Sequence, residues 1–508
     1  MKKKKLIINI MACLVSFVTV LGINFFLTPY ITENIGTDAY GFVSLANNFV
    51  NYASIVTLAL NSMASRFISI SIFKNKKEEA NKYFTSVLVA NIVMIIILLI
   101  PSILCVIYLE SVLSIPNELI DSVKILFFLI FINFFLSLLN STYSVSTYAS
   151  DNMELYTIRN MESSIIKVAL MFLLFYIFDA TIIIVGVATV SATLYMLFFN
   201  IYYKRKFLPF LTLKKKYFEF KKIIEIFMSG IWNTVTKIGQ VLSDGLDLLI
   251  TNLFINPIAM GQLSIAKTIS SSVSLLTISL VSIFQPNITK LYANNDEKIV
   301  DEIKFSMKIV SLFSNVLLVG VICFGIQFYK LWLPMENHKL LNVLTIITLL
   351  GNIIGTSVNA LFSIFTITNK LKVNSLVTLL NGLLNVVLVF VFLKLNIFNN
   401  PIIVVASISV VTGIIKNLTF VPMYSARCLG AKKKAFYGPI LKSILSCVMM
   451  AIIFLIIGKL FIIDGWIKLI LTAILCASIG FVISFAILFN KGELNKIIGL
   501  LKTKLKVR

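Results

Sequence analysis

Charge is what this chain has least of. Asp, Glu, Lys and Arg make up only 13% of its 508 residues, and the acids number 22 against 45 bases. A soluble domain carries about a quarter of its residues as charge, so a water-exposed globule is excluded. Histidine is almost absent. His338 is the only one, and its place in an outer loop marks a solvated surface residue rather than a ligand or proton relay. The six cysteines (Cys13, Cys105, Cys323, Cys428, Cys447, Cys476) show neither CxxC nor paired spacing, which argues against a disulfide framework and a metal centre. There is no GxxxxGK[ST] sequence, so ATP is not expected as direct fuel. Long extramembrane loops are lacking as well, leaving no ground for the acids, histidines or metal ligands of a membrane glycosyltransferase. No catalytic residue is assigned, and the expectation is a protein that is not an enzyme.

Apolar sequence is abundant. Hydrophobic residues account for 58% of the chain, the mean hydropathy is +0.96, and apolar runs long enough to cross a bilayer recur from Leu6 to Phe489. Spans of about twenty residues or more predict an all-α integral membrane protein with fourteen transmembrane helices, numbered here as spans 1 to 14: Leu6–Ile31, Ala39–Phe73, Tyr83–Leu109, Ile120–Ala149, Met161–Phe178, Ala180–Tyr203, Ile223–Ile255, Ile258–Tyr292, Ile303–Leu333, Leu340–Thr368, Val373–Leu395, Ile402–Tyr424, Ile440–Ile463 and Trp466–Phe489. The Lys2–Lys5 start followed by an apolar stretch mimics a secretory signal. The stretch is too long and lacks a small-x-small site, so it reads as span 1.

Lysine and arginine set the orientation. With the N-terminus cytoplasmic, the tails and loops of that side hold 33 basic residues and the opposite side six: Lys124, Lys330, Lys339, Lys394, Lys459 and Lys468. The asymmetry predicts both termini inside. A net charge of +23 would ordinarily suggest nucleic acid, but the bases sit in short loops and at the ends rather than on one surface, so no nucleic acid partner is expected.

The chain also repeats itself. Setting Gly41 against Gly261 aligns DAYGFVSLAN with IAMGQLSIAK, pairing span 1 with 7, 2 with 8 and 6 with 12. An even number of spans per unit makes the repeats parallel. The expected organisation is an N-terminal lobe of six helices (1–203), a basic cytoplasmic linker (204–222), a second six-helix lobe (223–424), and two added helices with a basic tail (425–508).

Polar residues recur on the spans at helical spacing. On span 7, Asn233, Lys237, Gln240, Asp244, Asp247 and Thr251 fall 4-3-4-3-4 apart, which places them on one stripe. Similar stripes run through span 2 (Asn47, Asn51, Ser54, Asn61, Ser65), span 4 (Asn133, Ser137, Asn140, Ser144, Thr147), span 8 (Lys267, Ser271, Ser274, Ser282, Gln285), span 10 (Asn352, Thr356, Asn359, Ser363, Thr366) and span 11 (Asn374, Thr378, Asn381, Asn385). Any one stripe can be interhelical glue. Six of them, on repeat-related pairs, predict a polar cavity between the lobes.

Charges within the spans sharpen that expectation, because a charge deep in a bilayer is costly unless paired or wet. Lys237 and Lys267 lie mid-span and Arg66 lies in the cytoplasmic third of span 2, a set suited to an anion such as a diphosphate. Lys237 could instead pair with Asp244, and Arg66 could snorkel. Lys167, Lys416 and Lys442 read as snorkelling anchors nearer the cytoplasmic ends. Asp244 and Asp247 could couple transport to H⁺ or Na⁺, or simply neutralise the lysines. Gly22 and Pro29 in span 1, Gly230, Gly239 and Gly245 in span 7 and Pro286 in span 8 mark expected bending points.

The lysine-rich start, the segment LTPYITENIGTDAYGFVSLAN, the matching NPIAMGQLSIAK of the second half and the fourteen-span pattern resemble the Wzx-type polysaccharide flippases of the superfamily that also holds MATE exporters and the lipid II flippase MurJ. The resemblance covers essentially the whole chain and is topological rather than catalytic. It implies a MATE/MurJ-like fold in the bacterial cytoplasmic membrane, a cationic cavity, and movement of undecaprenyl-pyrophosphate-linked oligosaccharide to the outer leaflet. A polysaccharide polymerase and glycosyltransferases are the implied partners besides bilayer lipids, and no cofactor is implied beyond an ion gradient or the membrane potential. A cation-coupled drug exporter and a non-transporting envelope scaffold are the alternatives.

Overall fold

The computed structural model describes residues 22–23, 25–150, 152–395, 400–490 and 493, with backbone alone at 153, 154, 286 and 293. Most of span 1, Lys2–Lys5, Cys13 and nearly all of the basic tail lie outside the described residues. Among the described residues the regular structure is entirely helical, and twelve helices are long and apolar enough to cross a membrane. The difference from fourteen has two sources. Span 1 falls largely outside the description, and span 7 is present but divided into Phe220–Gln240, a π-helical turn Val241–Gly245 and Asp247–Phe254. Span 5 begins at Met153 rather than Met161, because hydropathy sees only the apolar part of a helix whose first turns carry Arg159 and Glu162, an ion pair one turn apart.

The repeat seen in the sequence is repeated in the helices. Span 2 is Thr37–Phe73 and span 8 is Pro257–Ala293, both 37 residues and offset by 220 throughout. Each is followed by an asparagine in the left-handed region, Asn75 (φ 57°) and Asn295 (φ 50°). In both, the next N–H returns to the helix's last turn, Lys76 to Ser71 and Asp296 to Leu291, a Schellman-type end. Spans 5 and 11 are both 25 residues long. Spans 4 and 10 are each broken shortly before the C-terminal end, span 4 at Ser144 and span 10 by a 3-10 turn at Asn359–Leu361. The aligned glycines touch: a Cβ at Gly41 would fall 2.9 Å from the Cα of Gly261. Ser264, 220 residues after Ser44, donates its hydroxyl hydrogen bond to it.

Contacts group the helices differently from their order in the chain. One compact unit is Met1–Ile265 with Ser375–Val405, and the other is Ala266–Asn374 with Ala406–Arg508. In the first, Leu60, Ile68, Phe84, Val87 and Ile226 bring spans 2, 3 and 7 into one core. The linker is strapped to span 3. Leu211 is fully buried in that core, the Thr212 N–H donates to Asn81 Oδ1 at 2.8 Å, and the Glu219 N–H donates to Ser86 Oγ at 2.9 Å. In the second unit, Val316, Phe324, Met450, Phe454 and Cys476 join spans 9, 13 and 14 (Ile299–Trp332, Tyr437–Leu460, Trp466–Leu488).

Two kinds of surface remain open. On span 3 (Lys77–Ile107), Ile96, Ile97 and Ile100 are each more than 60% exposed, as expected for a face against lipid. On spans 2 and 7, polar residues are open as well: Asn47, Asn51, Ser62 and Arg66 on span 2 and Gln240 and Asp244 on span 7, beside apolar ones such as Val56 and Met228.

Candidate functional site

Span 7 lies antiparallel to span 2 and almost touches it. A Cβ at Gly230 would fall 1.9 Å from the carbonyl oxygen of Ala59, so only glycine permits this approach. Gly239 and Gly382 do the same between spans 7 and 11 (Leu371–Leu395), where a Cβ on Gly382 would meet the Gly239 oxygen at 2.5 Å. Gly230 and Gly239 are therefore packing points rather than bends, contrary to the expectation from sequence.

The bend is the π turn that follows. Leu246 N–H reaches back to Val241 O at 3.1 Å, an i→i−5 bond that leaves neighbouring carbonyls without helical partners. Side chains take them over. Asn385 Nδ2 donates to Leu242 O (3.2 Å) and Ser243 O (2.8 Å), and the Tyr52 hydroxyl and Asn48 Nδ2 both donate to Gly245 O. The distortion is thus built into the fold by spans 2 and 11, and such turns recur at functional sites.

Its effect is to divide the stripe. Before the turn, Asn233 and Lys237 are half-buried and Gln240 is exposed; within it, Asp244 is exposed. After it, Asp247 is 1% exposed and Thr251 fully buried, because the extra residue rotates the following turns inward. The stripe expected on one face ends at Asp244.

The first part meets span 2. Lys237 Nζ donates to Asn51 Oδ1 at 3.2 Å and Asn233 Nδ2 to Ser62 Oγ at 3.1 Å. Asn47, Asn51, Ser62 and Arg66 are all exposed on span 2. Lys237 does not pair with Asp244: its hydrogen-bond partner among the described residues is Asn51. Arg66 lies about 22 Å of helix from Asn51, so Arg66 and Lys237 form two separate cationic points along one polar face. Open polar side chains in the middle of membrane-length helices require water rather than hydrocarbon around them. This face can solvate an anion with its ammonium and guanidinium groups, and hydroxyl-rich groups with its amides.

The remaining candidates have other surroundings. Asn381 donates to Ser243 Oγ at 3.4 Å beside the π turn. Asn140 accepts from Asn200 of span 6 (Ile183–Phe207), and Asn133 from Thr193, joining spans 4 and 6 as glue. In the second unit, Lys267 is half-buried on span 8. There Asn352 Nδ2 donates to Ser270 Oγ and O, each at 3.1 Å, and Asn359 opens the 3-10 break. Tyr52 and Asn48 escaped the sequence reading, since neither lies on a stripe; the only signal was their proximity to Asn51.

Comparison with known proteins agrees with this architecture. A family profile described as polysaccharide biosynthesis protein matches residues 4–292. The uncharacterized membrane protein EpsK of Bacillus subtilis (strain 168) is 26% identical over 495 residues, 96% of each chain. Among solved structures, the lipid II flippase MurJ in an inward closed conformation superposes with a TM-score of 0.66 at 17% identity, over 94% of this chain and 98% of that one. An inward-facing MATE multidrug resistance transporter gives 0.62 at 14% identity, over 80% and 94%. The helical fold is that of MurJ and the MATE transporters, as expected.

Proposed function

This chain belongs to the polysaccharide biosynthesis protein family, and from that membership we propose that it is an alternating-access flippase for lipid-linked oligosaccharides. The head group, an oligosaccharide on undecaprenyl pyrophosphate, would cross the bacterial cytoplasmic membrane while its polyprenyl chain stays in lipid. The observation that carries the reading is the open polar face of spans 2 and 7, where Asn47, Asn51 and Gln240 are exposed mid-span beside the half-buried Lys237. Lys237, Lys267 and Arg66 would each neutralise the diphosphate during translocation, Arg66 as a bidentate grip and the lysines as point charges. The amides would replace water around sugar hydroxyls. Asp244, exposed at the π turn, would respond to H⁺ or Na⁺, and the turn would supply a bend for a conformational cycle. A polymerase and glycosyltransferases would act after and before this step.

The exposed carboxylate of Asp244 also favours a second reading, a cation-coupled exporter. One set of strains separates the two. Lys237→Glu and Lys267→Glu, with membrane levels of the protein matched to wild type, should each abolish surface glycan while leaving drug susceptibility unchanged. Normal glycan in both strains would remove the flippase reading, and increased drug susceptibility would favour the exporter.

A further inference from the structure

Span 5 carries a cation that the proposed path along spans 2 and 7 leaves unused. Lys167 lies near the midpoint of Leu155–Ile177, about 18 Å of helix from the cytoplasmic end. At that depth an anion-binding role stands beside the end-anchor role expected from sequence. Lys167 is half-buried, and among the described residues it has no hydrogen-bond or ion-pair partner. A lysine held at mid-span needs an anion or water.

Its surroundings differ on its two sides. Toward the cytoplasmic end, Asn160 and Ser164 precede it at helical spacing on the same face, Asn160 exposed and Ser164 half-buried. Toward the outer end runs an apolar groove of about 590 Å³, walled by Gly22, Phe26 and Tyr30 of span 1 and by Val168 and Phe172 of span 5. Met171, four residues after Lys167 and therefore its neighbour on the helix, also lines it. The Tyr30 and Phe175 rings, 4.4 Å apart, close the far end. On span 5 the groove covers about 15 Å of helix.

We propose that spans 1 and 5 form a binding site for a long-chain polyisoprenyl phosphate or diphosphate, with Lys167 on the phosphate and the groove around the first isoprene units. The site deepens the flippase reading and rests on it, and on the orientation set by the loop lysines. Polarity decides the occupant. The polar track lies in the cytoplasmic half of span 5 and the groove runs from Ile165, beside Lys167, to Phe175 in the outer half, so the bound lipid has its head inward and its chain continuing outward past the midplane. An inner-leaflet phospholipid keeps its head at the surface, and its chains end near the middle of a core about 30 Å thick. A polyisoprenoid longer than one leaflet fills the outer half.

The test uses full-length protein in nanodiscs with undecaprenyl diphosphate bearing a diazirine on its first isoprene units, and a phosphatidylglycerol with a diazirine acyl chain as the comparison. After photolysis, mass spectrometry locates the label. The expected result is labelling of Phe26, Val168 and Phe172 by the polyprenyl probe and not by the phospholipid. Lys167→Gln should reduce that labelling about tenfold, as loss of one charge-assisted contact implies, and Lys167→Arg should restore it. Val168→Trp, which fills the groove, should reduce labelling there without removing the cation. Polyprenyl labelling confined to other helices would overturn this site and leave the flippase reading standing. No specific polyprenyl labelling anywhere would overturn both, and equal labelling by the phospholipid would make the groove an ordinary lipid contact.

Discussion

Spans 2 and 7 and spans 9 and 10 draw on the same polar residues, and they use them in opposite ways. In the second unit, Asn315 Nδ2 donates to Ser443 Oγ at 2.9 Å and its Oδ1 accepts from Thr356 at 3.1 Å. Ser311 pairs with Ser357 at 2.9 Å and Thr277 with Ser314 at 3.1 Å. All of these are essentially sealed from solvent. In the first unit, Asn47, Asn51 and Gln240 are exposed, and among the described residues Asn47 finds only the Val43 carbonyl of its own helix. The sealed set satisfies its donors with neighbouring helices, which is what glue requires. The open set keeps its hydrogen-bonding capacity for something that enters. Polarity in a span therefore does not by itself mark a path; in the proposed flippase, polarity left open beside a cation would.

Gly230→Val offers the strongest way to break that difference. The added side chain would start 1.9 Å from Ala59 O, separating spans 2 and 7, and little assembled protein should survive detergent extraction and size-exclusion chromatography. The Asn47→Leu, Asn51→Leu pair comes next. It should lower glycan export about tenfold or more with an unchanged or higher melting temperature, since exposed amides contribute little to stability. Asn315→Leu should do the reverse, costing about 1–3 kcal/mol through orphaned partners while export per molecule stays normal. Asn385→Leu removes the bonds to Leu242 O and Ser243 O. It should relax the π turn and slow export severalfold, with hydrogen exchange at 241–246 as the readout.

The smallest effect concerns pH. Lys308, 7% exposed, meets Glu493 at 2.7 and 2.8 Å. Burial alone would raise the Glu493 carboxyl, but the Asn490 N–H and the Lys308 ammonium outweigh it and hold the group below its ordinary 4.5. A lowered carboxyl stabilises the fold above its unfolded value, and that contribution is lost as pH falls through the folded one. Melting temperature should therefore drop on acidification below about 4.5 in wild type, with a shallower slope in Glu493→Gln.

Much of the architecture was legible because lipid enforces simple rules. Length and hydropathy located the helices, and a single aligned glycine pair set an offset of 220 that spans 2 and 8 keep to their last residues. What escaped was whatever depends on the third dimension. Helical spacing ran smoothly through Asp244 to Asp247, and nothing in it announces the π turn that buries Asp247. Gly230 and Gly239 looked like hinges because sequence records the missing side chain but not the neighbour that requires it. Asn133 and Asn140 matched Asn47 and Asn51 in type and period, and only their partners on span 6 show them to be glue. The start of span 5 was set by hydropathy, which does not see the polar turns from Met153 onward.

Solvent accessibility at single positions tests the central claim most directly. In a background with the six native cysteines replaced, single cysteines at 47, 51 and 240 and at 311, 315 and 356 would be exposed to a charged, water-soluble thiol reagent in native membranes. The account predicts rapid modification at the first three positions, slowed by lipid-linked oligosaccharide, and protection at the second three. Equal protection of both sets would contradict it, since the face of spans 2 and 7 would then be dry.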